Sequence, residues 1–169
     1  GGVAQLQGCT FQRNQGGDYC TKDGGRIENL DLQVAEPESE ATGGSGTVVA
    51  TESELRAALG CGALRVVVKA GARIELTEDD LSIEHSMRLV GERGALPTIA
   101  GPEGGWEAVW VTSAVSKGVV VELEGLRIEG RGGDTDSALS VVQGAALIAA
   151  HCEVTGCKVT ICDNGTRGE

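Results

Sequence analysis

The strongest constraint on this chain is a short strand pattern that recurs at a fixed spacing and stays in phase across the two ends. An alternating apolar run, a small or polar residue, and two more apolar positions two apart make up Val119-Val120-Val121-Glu122-Leu123-Glu124-Gly125-Leu126-Arg127-Ile128. The same pattern returns in Ala145-Ala146-Leu147-Ile148-Ala149-Ala150-His151-Cys152-Glu153-Val154, and a third copy opens the chain as Gly2-Val3-Ala4-Gln5-Leu6-Gln7-Gly8-Cys9-Thr10-Phe11. Leu126 and Cys152 are 26 residues apart; counting on from Cys152 through Glu169 and then from Gly1, Cys9 is another 26 residues along. Strand-built repeats with a period of roughly 20 to 50 residues signal a solenoid, and alternation within each copy is the strand period. Val119, Val121 and Leu123 are expected to point inward and Glu122 and Glu124 outward. Gly125, His151 and Gly8 then mark a kink, where small or left-handed-tolerant residues suit a sharp bend. A fourth copy, Gly25-Arg26-Ile27-Glu28-Asn29-Leu30-Asp31-Leu32, places Asn29 at the kink.

Composition agrees with a narrow aliphatic core. Of 169 residues, 40% are apolar but only 2% aromatic, and 27 are glycine, which suits many turns. The length is that of one domain. A net charge of −11 argues against nucleic-acid and anionic-membrane partners, which select a basic face. No run of ~18 apolar residues predicts a membrane span. Among the six cysteines, Cys9 and Cys152 replace leucine at one repeat position, as small buried apolar side chains do. No CxxC pair suggests zinc. Unpaired thiols would favour an intracellular setting.

Along the chain, residues 1–34 read as two coils. Residues 35–47 are polar and end in Gly43-Gly44-Ser45-Gly46-Thr47, a flexible-linker composition. Thr51-Glu52-Ser53-Glu54 then forms a capping box. It starts a short helix around residues 52–59, with Leu55, Ala58 and Leu59 on one face and Gly60 at C′. A short amphipathic helix ahead of Leu64-Arg65-Val66-Val67-Val68 would plug the first coil of a solenoid and shield its strand edge. The N-terminal cap is therefore expected at residues 48–64, and residues 48–169 carry the cap and central coils. Residues 1–34 would be the last coils of the same domain, moved to the front: a circularly permuted order of engineered origin. The linker reaches far enough, since 13 extended residues cover about 43 Å and about six coils at ~4.8 Å span roughly 25–30 Å. Such a chain is also able to exchange its halves with a neighbour.

The cap, Val66-Val67-Val68-Lys69-Ala70-Gly71-Ala72-Arg73-Ile74-Glu75-Leu76 and Met87-Arg88-Leu89-Val90-Gly91 resemble the opening of a right-handed parallel β-helix of the pectate-lyase-like superfamily. The resemblance implies an all-β, single-stranded right-handed parallel β-helix. It implies function less closely, because lyases, epimerases and non-enzymatic sugar- or protein-binding modules share that fold.

The most suggestive polar cluster is Arg131-Gly132-Gly133-Asp134-Thr135-Asp136. The resemblance implies an arginine base or substrate clamp at Arg131 and calcium on Asp134 or Asp136. Gly16-Gly17-Asp18 recurs at a similar repeat position, so Asp18 joins the candidates. Calcium needs six to eight converging oxygens, whereas a Gly-Asp turn whose aspartate bonds its own backbone accounts for the same residues. No cofactor is therefore expected, with calcium the one left open. Trp106 and Trp110, four apart on an alternating strand, share a face and suit either core packing or stacking on a sugar ring. The expected role is a non-catalytic scaffold or a module binding a carbohydrate or a protein. The alternatives are a small polysaccharide lyase or epimerase working on the outer strand face, and a self-assembling subunit whose coils stack or swap.

Overall fold

The alternation seen in the sequence places aliphatic side chains on one face of many short parallel strands. The computed structural model describes residues 3–12, 19–21, 26–29, 46–77, 79–104, 107–112, 118–131, 137–142, 144–156 and 158–161. Its elements in chain order are β1 (Val3–Gln7), β2 (Thr10–Gln12), β3 (Tyr19–Thr21), β4 (Arg26–Asn29), β5 (Thr47–Val49), α1 (Glu52–Gly60), β6 (Arg65–Val68), β7 (Arg73–Glu75), β8 (Leu81–Ile83) and β9 (Met87–Gly91). There follow β10 (Thr98–Ala100), β11 (Glu107–Val111), β12 (Val120–Glu124), β13 (Arg127–Glu129), β14 (Ser137–Val141), β15 (Ala146–Ala150), β16 (Glu153–Thr155) and β17 (Lys158–Ile161).

Among the described residues the protein is all-β apart from α1, and its strands pair in parallel. They form three sheets, ordered β4-β1-β15-β12-β9-β6-β5, β2-β16-β13-β10-β7 and β3-β17-β14-β11-β8. Successive strands visit the three sheets in turn, so β6, β7 and β8 make one tier, and β9, β10 and β11 the next. Among the described residues no helix is long and apolar enough to cross a membrane.

The first strands of the chain pair with the last ones. Val3 stands opposite Ala146 and Gln7 opposite Ala150; Phe11 stands opposite Val154, and Tyr19 opposite Val159. Both the β12–β15 and the β13–β16 registers advance by 26 residues, as from Val120 to Ala146 and from Arg127 to Glu153. Counted on through Glu169 and Gly1, the β15–β1 and β16–β2 pairs continue that step. Register is held because a slip of one residue would turn every inward side chain outward.

The core is a set of ladders. Ile74, Ile99, Ile128 and Val154 lie in one row, and each is at most 3% exposed. Val121, Leu123 and Leu147 fill the adjoining sheet, while Glu122 and Glu124 face outward. Fully burying one such aliphatic side chain contributes about 1.5–3 kcal/mol. The kinks fall at Gly8, Gly125 and His151, all with positive φ, at 55°, 63° and 53°. Gly8 needs to be bare for a second reason: a Cβ there would lie 3.0 Å from Nδ1 of His151 on the next tier.

Three local expectations are corrected. Asn29 is not at a kink; Leu6 stands opposite Asn29 inside β4, because that tier is two residues longer than the pattern suggested. Thr47, assigned to the linker, begins β5, which pairs with β6. Gly60 is the last residue of α1 and not C′. Gly62, at φ 71°, takes that role, with Gly62 N–H on Leu59 O (2.9 Å) and Ala63 N–H on Ala58 O (3.1 Å). This double bond set is a Schellman closure. The capping box itself is formed, with Glu54 N–H on Thr51 Oγ1 at 3.3 Å and Thr51 N–H on Glu54 Oε2 at 3.2 Å. Leu55 and Ala58 of α1 are buried in the core.

Candidate functional site

Arg131 is the one member of the Arg131–Asp136 cluster within the described residues; Asp134, Asp136, Asp18 and Trp106 lie outside them. Strand alternation sends Arg73 and Glu75 of β7, and Arg127 and Glu129 of β13, to the outer face on either side of β10. Arg73 bridges that gap, donating from Nη1 and Nη2 to Glu129 Oε2 and Oε1 at 2.9 and 2.8 Å. Its Nε donates to Glu75 Oε1 at 3.1 Å. Arg131 closes the ring through Nη2 on the same Glu75 oxygen, with its Nε 3.7 Å from Glu129 Oε1.

Two guanidinium groups and two carboxylates thus balance one another. The bond from Arg131 holds the Glu75 carboxyl below its ordinary range, and the paired bonds from Arg73 do the same for Glu129 against the opposing effect of burial. Beneath this roof lie Thr98 and Ala100, outward-facing residues of β10 that are nevertheless 5% and 0% exposed. The guanidinium of Arg131 therefore serves the wall it stands on. Similar pairs lace the rest of the outer surface, with Arg88 between Glu122 (2.7 Å) and Glu124 (3.1 Å), and Arg127 on Glu153 (2.8 Å).

A cavity of about 630 Å³ opens where α1 meets the third sheet. It is lined by Arg56, Leu59 and Gly60 of α1, by Asp79, Asp80, Leu81 and Ser82, and by Glu84, His85 and Trp110. Arg56 sets the shape of this groove. Its Nε donates to Glu52 Oε1 at 2.9 Å, and its Nη1 and Nη2 donate to the backbone carbonyls of Asp80 and Asp79. Arg56 thus ties the helix to the loop before β8, and Glu52 does so as well, accepting from Thr77 N–H at 3.2 Å and Thr77 Oγ1 at 2.8 Å. Nε2 of His85 is 3.1 Å from Ala63 O. A carbonyl only accepts, so in the neutral ring the proton sits on Nε2, and Nδ1 remains as the acceptor.

Trp110 stands between Ser82 and Ser140 in the outward row of the third sheet and is half-buried. An indole with an apolar face, flanked by hydroxyl, imidazole and carboxylate groups, is the kind of surface that takes a polar, ring-bearing molecule. Among the described residues, no group of three or more His, Cys, Asp or Glu is placed to hold a metal ion.

Trp110 was accessible to sequence reasoning through its place in an alternating strand. Arg56, Asp79, Asp80 and His85 were not, because their convergence depends on how α1 docks against β8. The only hint was the acidic run before Leu81. Compared with known proteins, the chain matches no family model, no curated protein and no solved structure.

Proposed function

We propose that this protein is a right-handed parallel β-helix of the pectate-lyase-like kind, in circularly permuted order, that serves as a non-catalytic binding scaffold. Its ligand is a carbohydrate or a protein segment seated in the groove beside Trp110. The cyclic visiting of three parallel sheets supports the β-helix, and the pairing of Val3 with Ala146 across the chain ends supports the permuted order. The observation that carries the functional reading is the contrast between two surfaces. The charged groups around Arg131 bind each other across the outer wall, whereas the groove offers a half-buried indole inside a cavity of about 630 Å³.

A scaffold reading expects intrinsic tryptophan fluorescence to change on titration with neutral oligosaccharides or with an extended peptide library. It also expects Trp110→Ala to weaken binding about three- to ten-fold, since an aromatic contact contributes about 0.5–1.5 kcal/mol. Unsaturated or epimerised sugar products accumulating with the unmodified protein and disappearing in Arg131→Ala would overturn it in favour of a lyase or epimerase.

Assembly into oligomers has one observation in its favour: β5 lies at a sheet edge with Val48 59% exposed. A strand at a sheet edge with an exposed apolar side chain invites pairing. Light scattering of the unmodified protein against Val48→Lys tests it, with a mass that falls in the variant as the supporting result.

A further inference from the structure

The repeat position occupied by Leu126 in one tier is occupied by cysteine in the next two, and those two cysteines meet. Cys152 precedes β16 and Cys9 precedes β2, and the two strands pair in register from Glu153 opposite Thr10 onward. The amide of Thr10 donates to Cys152 O at 2.8 Å, and the amide of His151 to Gln7 O at 2.8 Å, so the two bends are bolted together on both sides of the thiols. Neighbouring parallel strands stand about 4.8 Å apart, inside the roughly 4.4–6.8 Å between Cα atoms that a disulfide tolerates. Each cysteine follows a residue at positive φ and lies between two strands of its tier. Each thiol has a backbone carbonyl at 3.4 Å, Ala149 O for Cys9 and Ala150 O for Cys152, on the paired strands β1 and β15 that lead into the two bends. Cys9 is half-buried and reachable, whereas Cys152 is 3% exposed.

We propose that Cys9 and Cys152 form a peroxide-oxidisable dithiol, in which Cys9 is the nucleophile, Cys152 is the resolving thiol, and their disulfide fastens the tier that opens the chain to the tier that closes it.

The asymmetry of the pair sets the order of events. The hydrogen bond from Cys152 lowers the Cys9 thiol to about 7, while the neighbouring Cys9 and burial push Cys152 well above its ordinary value. Cys9 thiolate attacks one oxygen of hydrogen peroxide, the O–O bond breaks, and hydroxide leaves, giving a sulfenic acid at Cys9. The hydroxide takes the Cys152 proton and becomes water. The Cys152 thiolate then attacks the Cys9 sulfur, the S–O bond breaks, and the departing hydroxide is protonated to a second water. Two thiols are oxidised by two electrons and one peroxide is reduced to two waters.

The test uses the unmodified chain. After brief exposure to hydrogen peroxide, the remaining thiols are alkylated and the protein is digested and mapped by mass spectrometry without reductant. The expected product is a linked peptide pair containing Cys9 and Cys152, lost on reduction. Recovery of both as alkylated thiols, or of Cys9 linked to a different cysteine, would overturn the proposal. A second measurement separates chemistry from mere proximity. At pH 7 the iodoacetamide rate at Cys9 should fall roughly five-fold in Cys152→Ala, the lost thiolate fraction being partly offset by greater nucleophilicity at higher pKa. In the same variant, peroxide should leave a Cys9 sulfenic acid that dimedone traps. An unchanged alkylation rate with no dimedone adduct counts against it.

Discussion

Replacing Gly91 with alanine tests whether the tiers sit as closely as their register implies. Gly91 ends β9 opposite Val68, where the next tier turns at Gly125. A Cβ on residue 91 would lie 2.0 Å from the Gly125 carbonyl oxygen, 3.0 Å from its carbon and 3.0 Å from Pro97 Cγ. Ordinary contact begins near 3.4 Å, so the two tiers must part by more than an ångström at this point. The backbone bonds nearest the strain are Glu92 N–H on Val68 O (2.8 Å), Arg127 N–H on Pro97 O (2.9 Å) and Gly125 N–H on Ala150 O (3.1 Å). Of these, Arg127 N–H on Pro97 O crosses the gap that must open, as does the adjoining end of the β9–β12 ladder, and stretching one or two such bonds past a useful length costs about 1 kcal/mol each. Overpacking adds about 1–3 kcal/mol, and the stiffer unfolded chain returns about 0.4–1 kcal/mol. The expected net loss is about 3 kcal/mol, or roughly 6–12 °C in Tm for a chain of this size, read by circular dichroism during thermal and urea unfolding. Gly60→Ala is the matched control: nothing lies within 4 Å of its Cβ, and within a helix the change should stabilise by about 0.5–1 kcal/mol. A loss below about 1 kcal/mol for Gly91→Ala, within the ordinary spread for point changes, would refute the tight spacing of tiers at this turn.

Two further outcomes follow from the same geometry. Glu75 and Glu129 have folded-state pKa values held below 4.5 by Arg131 and Arg73 respectively, so the stability they lend is complete above the ordinary carboxylate range and is lost as pH falls through the depressed values. Tm should therefore drop on acidification below about pH 4.5, and Arg73→Ala should flatten that drop; an identical acid slope in the variant would dismiss the network. His151, at φ 53°, should tolerate glycine with little change, whereas valine should cost about 1–2 kcal/mol because a β-branched side chain fits the left-handed region poorly. Equal stability of His151→Val and the native protein in urea titration would refute the kink assignment.

Much of the strand order was legible because parallel pairing repeats along the covalent chain. The 26-residue step, the inward Val121 and Leu123, and the bends at Gly125, His151 and Gly8 follow from spacing and residue type, and the register observes them. Legibility failed where a tier changed length. Asn29 has the residue type of a bend but pairs with Leu6, since pairing in that sheet is decided by the strand as a whole. It failed again at Gly60, where a glycine in position to end a helix was carried into its last turn because Gly62 supplied the left-handed residue.

What the sequence by itself determined is periodic: alternation chooses the buried face, and equal steps choose which strands become neighbours, including those at opposite ends of the chain. What only the tertiary structure decided is which side chains meet. Arg73 and Glu129 are 56 residues apart and grip each other over β10. Arg56 seizes the backbone of Asp79 and Asp80, and Cys9 falls beside Cys152 where β2 pairs with β16. Period and parity are properties of one strand, but these meetings depend on the few ångströms between stacked tiers and on the reach of long side chains, neither of which is written in residue order.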